Sequence, residues 1–365
     1  CSSDLLSYVQ TNSMWGIIVT TMFLTEVPAG LLADRLGRKY TVSVALALQT
    51  LGEVIYIFAD NYSLFVLAAV VGGVGFAFGS GSIEALVYDT LRARGREGEM
   101  TKAMGAIGAA QRLGNLLAYA IGGFLVGQLT QARFVQAITA TACAVALGWL
   151  VTFTLREPPV EAGQGGGEDT LALLKDGVRL FRVKPRFLRL VMLSLATIAF
   201  KDYLSGLYQP YFVQAGVPGV WLGLALSLAA GLSVLGARYA YWLEARLGTR
   251  LSLLLVTGGP GLLYLVMGAV LHPVFSVLIF CSLYSAMSLK APIFSGHLNR
   301  HIASKNRATV LSLISMASGL YEALMGLLIG YIADISLRAA FIAMGVVVLG
   351  GTLLFRENQE LRIKD

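Results

Sequence analysis

Eleven times along this chain of 365 residues an apolar run reaches the length of helix needed to cross a hydrocarbon core, about 20 residues for a core of about 30 Å. The runs are 15–33, 40–59, 62–87, 104–129, 134–155, 187–212, 220–243, 251–271, 274–294, 308–332 and 337–355. Short connections with turn residues separate them, among them Asp60-Asn61, Gly216-Val217-Pro218 and His272-Pro273. Only 13% of residues are charged, about half the share in soluble domains, and the mean hydropathy is +0.71. A soluble interior of this size cannot hide so much apolar surface. The same numbers exclude a disordered chain, a collagen and a disulfide-stapled secreted module. The expectation is an all-α, polytopic membrane protein seated in a lipid bilayer.

The net charge of +7 requires a topological reading before it is taken as a sign of nucleic acid. With the loop 34–39 placed in the cytoplasm and sides alternating from there, the outer loops hold only Arg133 and Arg338 of the 28 Lys and Arg. Such an asymmetry sets orientation in membrane proteins. It accounts for the charge without a nucleic-acid partner, and it puts the C-terminus in the cytoplasm. Cys1, Cys143 and Cys281 have no spacing for a disulfide framework or a zinc site. His297 and His301 stand four apart, but Arg300, Lys305 and Arg307 surround them with no nearby carboxylate. Neither a metal nor a cofactor is expected.

One stretch interrupts the rhythm of spans. Residues 157–184 are polar, with Pro158-Pro159 and the run Gly163-Gln164-Gly165-Gly166-Gly167, the composition of a flexible linker. Leu171, Leu174, Val178 and Phe181 then recur at helical spacing among Lys175, Arg179 and Arg182. Two readings stand: a basic amphipathic helix on the inner membrane surface, or a helix packed beneath the loops. The linker divides the chain into a bundle over 1–155, a connection over 156–186 and a second bundle over 187–365. Five spans precede it and six follow. Since residue 1 is Cys and not Met, the expectation is two pseudo-symmetric six-helix bundles, with one span encoded upstream.

Between the first two runs stands Gly30-Leu31-Leu32-Ala33-Asp34-Arg35-Leu36-Gly37-Arg38-Lys39. It resembles motif A of the major facilitator superfamily, G-x-L-A-D-R-x-G-R-K, which lies between family spans 2 and 3. Gly30 and Gly37 permit close helix approach and a tight reversal, and Asp34 can accept hydrogen bonds at a helix N-terminus. The resemblance implies that the motif latches the two halves on the cytoplasmic side. Its Asp34 would face the segment Arg307-Ala308-Thr309, and it would pair with Asp89 at the end of span 4. The alternative is that these charges only cap helices and set topology. A degenerate second copy, Glu244-Ala245-Arg246-Leu247-Gly248-Thr249-Arg250, follows span 8 and aligns Gly248 with Gly37, as an internal duplication would. Motif C of the drug–proton antiporters is eroded: its Gly-Pro pair reads Ala118-Tyr119, and span 4 lacks the Arg of motif B.

Ionisable residues inside spans are costly, about 2.5–3.5 kcal/mol on insertion scales, so each is a functional candidate. On the family template, spans 1, 4, 7 and 10 line a central cavity. Span 7 then supplies Lys201, Asp202, Tyr208 and Gln209, span 10 supplies Tyr284, and the end of span 4 supplies Glu84 and Tyr88. Gln111, Arg112 and Asn115 on span 5 suit a polar or anionic group, unless Arg112 is tied to Glu84 or Glu26. Glu26, beside Pro28 in span 2, serves either the cavity or local helix repair. Glu322, next to Tyr321 in span 11, is a candidate proton carrier. Lys290 near the inner end of span 10 is expected to snorkel, and Glu53 in a support span to be structural.

The function implied is a secondary transporter, acting as a monomer. It would move a small organic solute across the bacterial cytoplasmic membrane by alternating access, with efflux and proton coupling as its expected mode. The other readings are a transport-inactive receptor or sensor on the same scaffold and a membrane enzyme. HExxH, GxSxG and a phosphate-loop signature are all absent from the sequence.

Overall fold

A computed structural model describes residues 6–80, 82–157, 185–198, 200–301 and 307–355. The linker and its amphipathic segment lie outside the described residues, as do the side chains of Asp34, Arg35, Lys201, Asp202, His297 and His301. Among the described residues the chain is helical and has no strand. Among the described residues, eight helices are long and apolar enough to cross a membrane. The chain divides into two compact units, 1–166 and 167–365.

The first unit contains α1 (Tyr8–Leu36), α2 (Arg38–Phe58), α3 (Tyr62–Gly79), α4 (Ser82–Arg92), α5 (Met100–Val126) and α6 (Gln131–Thr152). The run read as one span over 62–87 is interrupted, since α3 ends at Gly79 with Ser80 extended and α4 begins at Ser82. Asn61 starts α3 by accepting from the Leu64 N–H at 3.1 Å, the capping role its short side chain favours. Glycines set the packing of α3 on two sides. A Cβ at Gly73 would stand 2.9 Å from the Ile18 carbonyl of α1, and one at Gly75 would stand 2.9 Å from the Ala45 carbonyl of α2. Small residues thus bring backbones together where lipid offers no hydrophobic drive for association. The Trp149 Nε1–H donates to Ser43 Oγ at 3.2 Å and ties α6 to α2.

The second unit contains α7 (Pro185–Ile198), α8 (Phe200–Gln214), α9 (Val220–Ala269), α10 (Pro273–His301), α11 (Arg307–Ile335) and α12 (Leu337–Phe355). α9 consists of two helical arms, Val220–Gly248 and Arg250–Ala269, one for each of two runs, and they meet at the non-helical Gly248, where φ is 72° and ψ is 164°. Its second arm meets α12 through glycines: a Cβ at Gly345 would stand 2.8 Å from the Gly261 carbonyl. The core is aromatic. Tyr208 stacks on Phe280 with centroids 4.8 Å apart, and Phe212 meets Phe280 edge-on at 5.4 Å. The buried phenols find acceptors, Tyr211 on the Val270 carbonyl at 2.7 Å and Tyr264 on the Phe200 carbonyl at 2.8 Å, as a buried O–H requires. Arg338 closes the end of α9 by donating to the carbonyls of Gly268 and Ala269 at 3.0 and 3.1 Å. A cation there also suits the negative end of the helix dipole.

Candidate functional site

The motif loop is built around one glycine. α1 stops at Leu36 and α2 starts at Arg38, so Gly37 alone reverses the chain, with φ 95° and ψ 155°. Only glycine adopts that backbone region at low cost. The turn exposes the first N–H groups of α2, and Glu157, just past the end of α6, fills the position. Its carboxylate accepts from the Arg38 N–H and from the Lys39 N–H, each at 2.7 Å. These are charge-assisted bonds at the positive end of a helix dipole. Lys39 Nζ donates in turn to the Phe153 carbonyl at 3.3 Å. A Cβ on residue 37 would stand 2.7 Å from Glu157 Oε1, so the glycine leaves room for the anion as well as making the turn.

In the sequence Glu157 reads only as the first residue of the linker. The signal available is an Arg-Glu pair closing the last run of the first half, and it recurs as Arg356-Glu357 after the last run of the second. Gly248, which the second motif copy aligns with Gly37, adopts the same glycine-only conformation, φ 72° against 95° and ψ 164° against 155°. Asp34 lies on the last turn of α1, two residues before its end. Asp89 is half-buried on α4, which packs against α2.

In the second unit the deepest described charge is Lys290, and it does not snorkel. It is 7% exposed. Its Nζ donates to the Ser194 carbonyl of α7 at 2.6 Å and stands 5.3 Å from the Phe294 ring centroid. Eleven residues of α10 follow it before the helix ends at His301, about 16 Å of helix. Only four of them lie before the apolar span ends at Phe294, and the stem turns to the Ser194 carbonyl instead of following them. Glu322 on α11 is the carboxylate that acts on it through space. The Tyr203 hydroxyl of α8 donates to the main-chain carbonyl of Glu322. Gly326, one turn further along α11, leaves space for that phenol ring, and a Cβ there would collide with it. Lys290, Ser194, Tyr203 and Glu322 thus form a polar node where helices of one unit meet.

The remaining candidates fall in two groups. Glu26, Glu84, Tyr88, Gln111, Arg112 and Asn115 are exposed on α1, α4 and α5. Among the described residues no ion pair ties Arg112 to Glu26 or Glu84. Tyr208 is buried in the aromatic core, with its hydroxyl 3.3 Å from the Leu222 carbonyl. Gln209, Tyr284 and Glu322 are half-buried. Outside the spans, Arg96 makes a two-pronged contact with Glu99 at 2.7 and 2.8 Å. The hydrogen bond to Arg96 holds the Glu99 carboxyl below the usual carboxylate range.

The profile of the Major Facilitator Superfamily matches residues 3–295. The chain is 24% identical over 98% of its length to the MFS-type transporter YxaM of Bacillus subtilis, and covers 89% of that protein. It is also 32% identical over 29% of its length to multidrug resistance protein 2 of Bacillus subtilis, covering 26% of it. With the quinolone resistance protein NorA of Staphylococcus aureus it shares 27% over 32% of the chain and 30% of NorA. Among solved structures, the nucleoside transporter NupG superposes with a TM-score of 0.78 at 13% identity, covering 97% of this chain and 92% of that one. An inward-facing bacterial homologue of the lysosomal transporter Spinster follows at 0.68 and 15%, covering 96% and 88%. The helices, the motif turn and these matches agree: the chain is a multi-pass membrane protein that belongs to the major facilitator superfamily.

Proposed function

We propose that the chain is a secondary transporter that moves a small organic solute outward across the cytoplasmic membrane, coupled to protons. The observation that carries this reading is Lys290, a buried ammonium held on the Ser194 carbonyl at 2.6 Å and influenced by Glu322. An ionisable side chain buried within a span is costly, which makes it a functional candidate by default. The chain is read as eleven spans in two bundles, over 1–155 and 187–365, joined by the connection 156–186. The motif loop 34–39 lies on the cytoplasmic side and serves as a gate. The residues proposed to contact the solute path are Lys201, Asp202, Gln209, Tyr284 and Glu322 in the second bundle and Glu26, Glu84, Tyr88, Gln111, Arg112 and Asn115 in the first.

The export direction and an amphipathic substrate are supported by the partial similarity to the multidrug and quinolone resistance proteins. The nucleoside transporter supports the fold alone. Proteoliposomes carrying the full chain, loaded with a quinolone or with a nucleoside, test the reading under an imposed pH gradient. The expected result is quinolone flux that collapses with the gradient and is lost in Lys290→Met and Asp34→Asn. Binding without flux of any solute, at any pH, would assign the scaffold to a receptor instead.

A further inference from the structure

The first unit contains a half-open cavity of about 230 Å³ between α1, α2, α3 and α6, lined by Glu53, Gln49, Tyr56, Phe65, Gly72 and Phe76 among others. None of the residues placed on the solute path above belongs to it. Among the described residues, Glu53 is the only carboxylate in the lining. It stands 15 residues beyond Arg38 on α2, about 22 Å along the helix from the motif turn. Among the described residues its carboxylate has no hydrogen bond and no ion pair, and Tyr56 is the titratable neighbour it acts on.

The gap is local and does not reflect loose packing. Gly73 and Gly75 bring α3 so close to its neighbours that a Cβ would stand 2.9 Å from a backbone carbonyl, whereas a Cβ on Gly72 would meet nothing within 4 Å. Tyr56 and Phe65 meet edge-on at 5.0 Å and 74° beside the carboxylate. A carboxyl group without a protein partner, next to aromatic rings within a span, is complementary to an organic cation, whose charge favours the ionised form. The anion supplies charge and the ring faces supply cation–π attraction. The volume is below that of drug-sized pockets, about 300–1,000 Å³, so it accepts a head group or a single ring and leaves a longer tail outside.

We infer that this cavity binds the ammonium group of an amphiphile, with Glu53 as counter-ion and the Tyr56–Phe65 pair as its aromatic wall. The ammonium can come from two sources, the head group of a phosphatidylethanolamine or a soluble amine with an apolar body.

The test uses the full chain in dodecyl maltoside, which carries no ammonium, and reads binding without transport. Its outcome is therefore independent of the function proposed above. Calorimetry with benzyltrimethylammonium is expected to show saturable binding that weakens at least tenfold in Glu53→Gln and is retained in Glu53→Asp. The uncharged analogue neopentylbenzene should bind wild type and Glu53→Gln alike. Gly72→Leu, which fills the gap, should weaken both probes. Unchanged thermal midpoints and helical circular dichroism verify the fold of each variant. The nearly isosteric Glu53→Gln decides the matter if Gly72→Leu fails to fold. Native mass spectrometry after adding phosphatidylethanolamine separates the sources: a retained lipid that is lost in Glu53→Gln names the bilayer, and saturable binding of the soluble probe alone names a free amine. Absence of binding by both, or equal affinity of wild type and Glu53→Gln for both, overturns the inference.

Discussion

At the scale of single residues, Gly37 and Glu157 act as a unit. Gly37→Ala puts a side chain in a backbone region that costs about 1–3 kcal/mol outside glycine. It also pushes against a carboxylate oxygen 2.7 Å from the new Cβ. Glu157→Ala removes the partner of two N–H groups, a loss comparable to deleting a helix cap, about 0.5–2 kcal/mol. Each variant should lower the thermal midpoint of the purified chain. The double variant should lower it by less than the sum, because both changes break the same contact. Glu99 gives a second residue-scale prediction. Arg96 lowers its folded pKa, so their contact is complete above the usual carboxylate range and is lost as pH falls through the lowered value. Carboxyl-carbon NMR should place that titration below an unpaired glutamate, and Arg96→Gln should return it to the ordinary position. Motif spacing made Gly37 legible in the sequence, because the turn is local. Glu157 was not legible, because its partners lie 119 and 118 residues earlier in the chain.

At the scale of elements, tight helix pairs depend on glycines that a hydropathy profile does not register. Gly345→Leu should cost about 1–3 kcal/mol by overpacking, since its Cβ would already stand 2.8 Å from the Gly261 carbonyl. Leu at Gly259, where a Cβ meets nothing within 4 Å, is the matched control and should leave the midpoint unchanged. Thermal unfolding followed by circular dichroism distinguishes the two. The repeat carries another prediction of this kind. Gly248 copies the conformation of Gly37, and Arg356-Glu357 copies Arg156-Glu157 in sequence. Glu357→Ala should therefore lower the midpoint about as much as Glu157→Ala. Where element boundaries departed from the expected spans, local chemistry explains the shift. Ser80 turns extended and splits the fourth family span into α3 and α4. Gly248, at φ 72° and ψ 164°, interrupts the helix within α9, so its two arms, Val220–Gly248 and Arg250–Ala269, are the two runs that hydropathy separates.

At the scale of the whole molecule, Lys290 is the residue whose change should separate folding from function. Methionine has a similar length and no charge, and it removes the desolvation cost that a buried lysine carries. Lys290→Met should retain a wild-type midpoint and lose gradient-driven flux, whereas a structural role alone would lower the midpoint and spare the flux of the folded fraction. The helical class, the membrane as solvent and the family motif are legible in the sequence, because run length, composition and local turn chemistry are properties of contiguous residues. That Lys290 turns inward to Ser194, that Glu157 reaches the start of α2 and that Glu53 faces an open gap beside Gly72 emerge from the packing of the helices. Each of these depends on which faces of distant helices meet, and a side chain's depth along its own helix leaves that direction free.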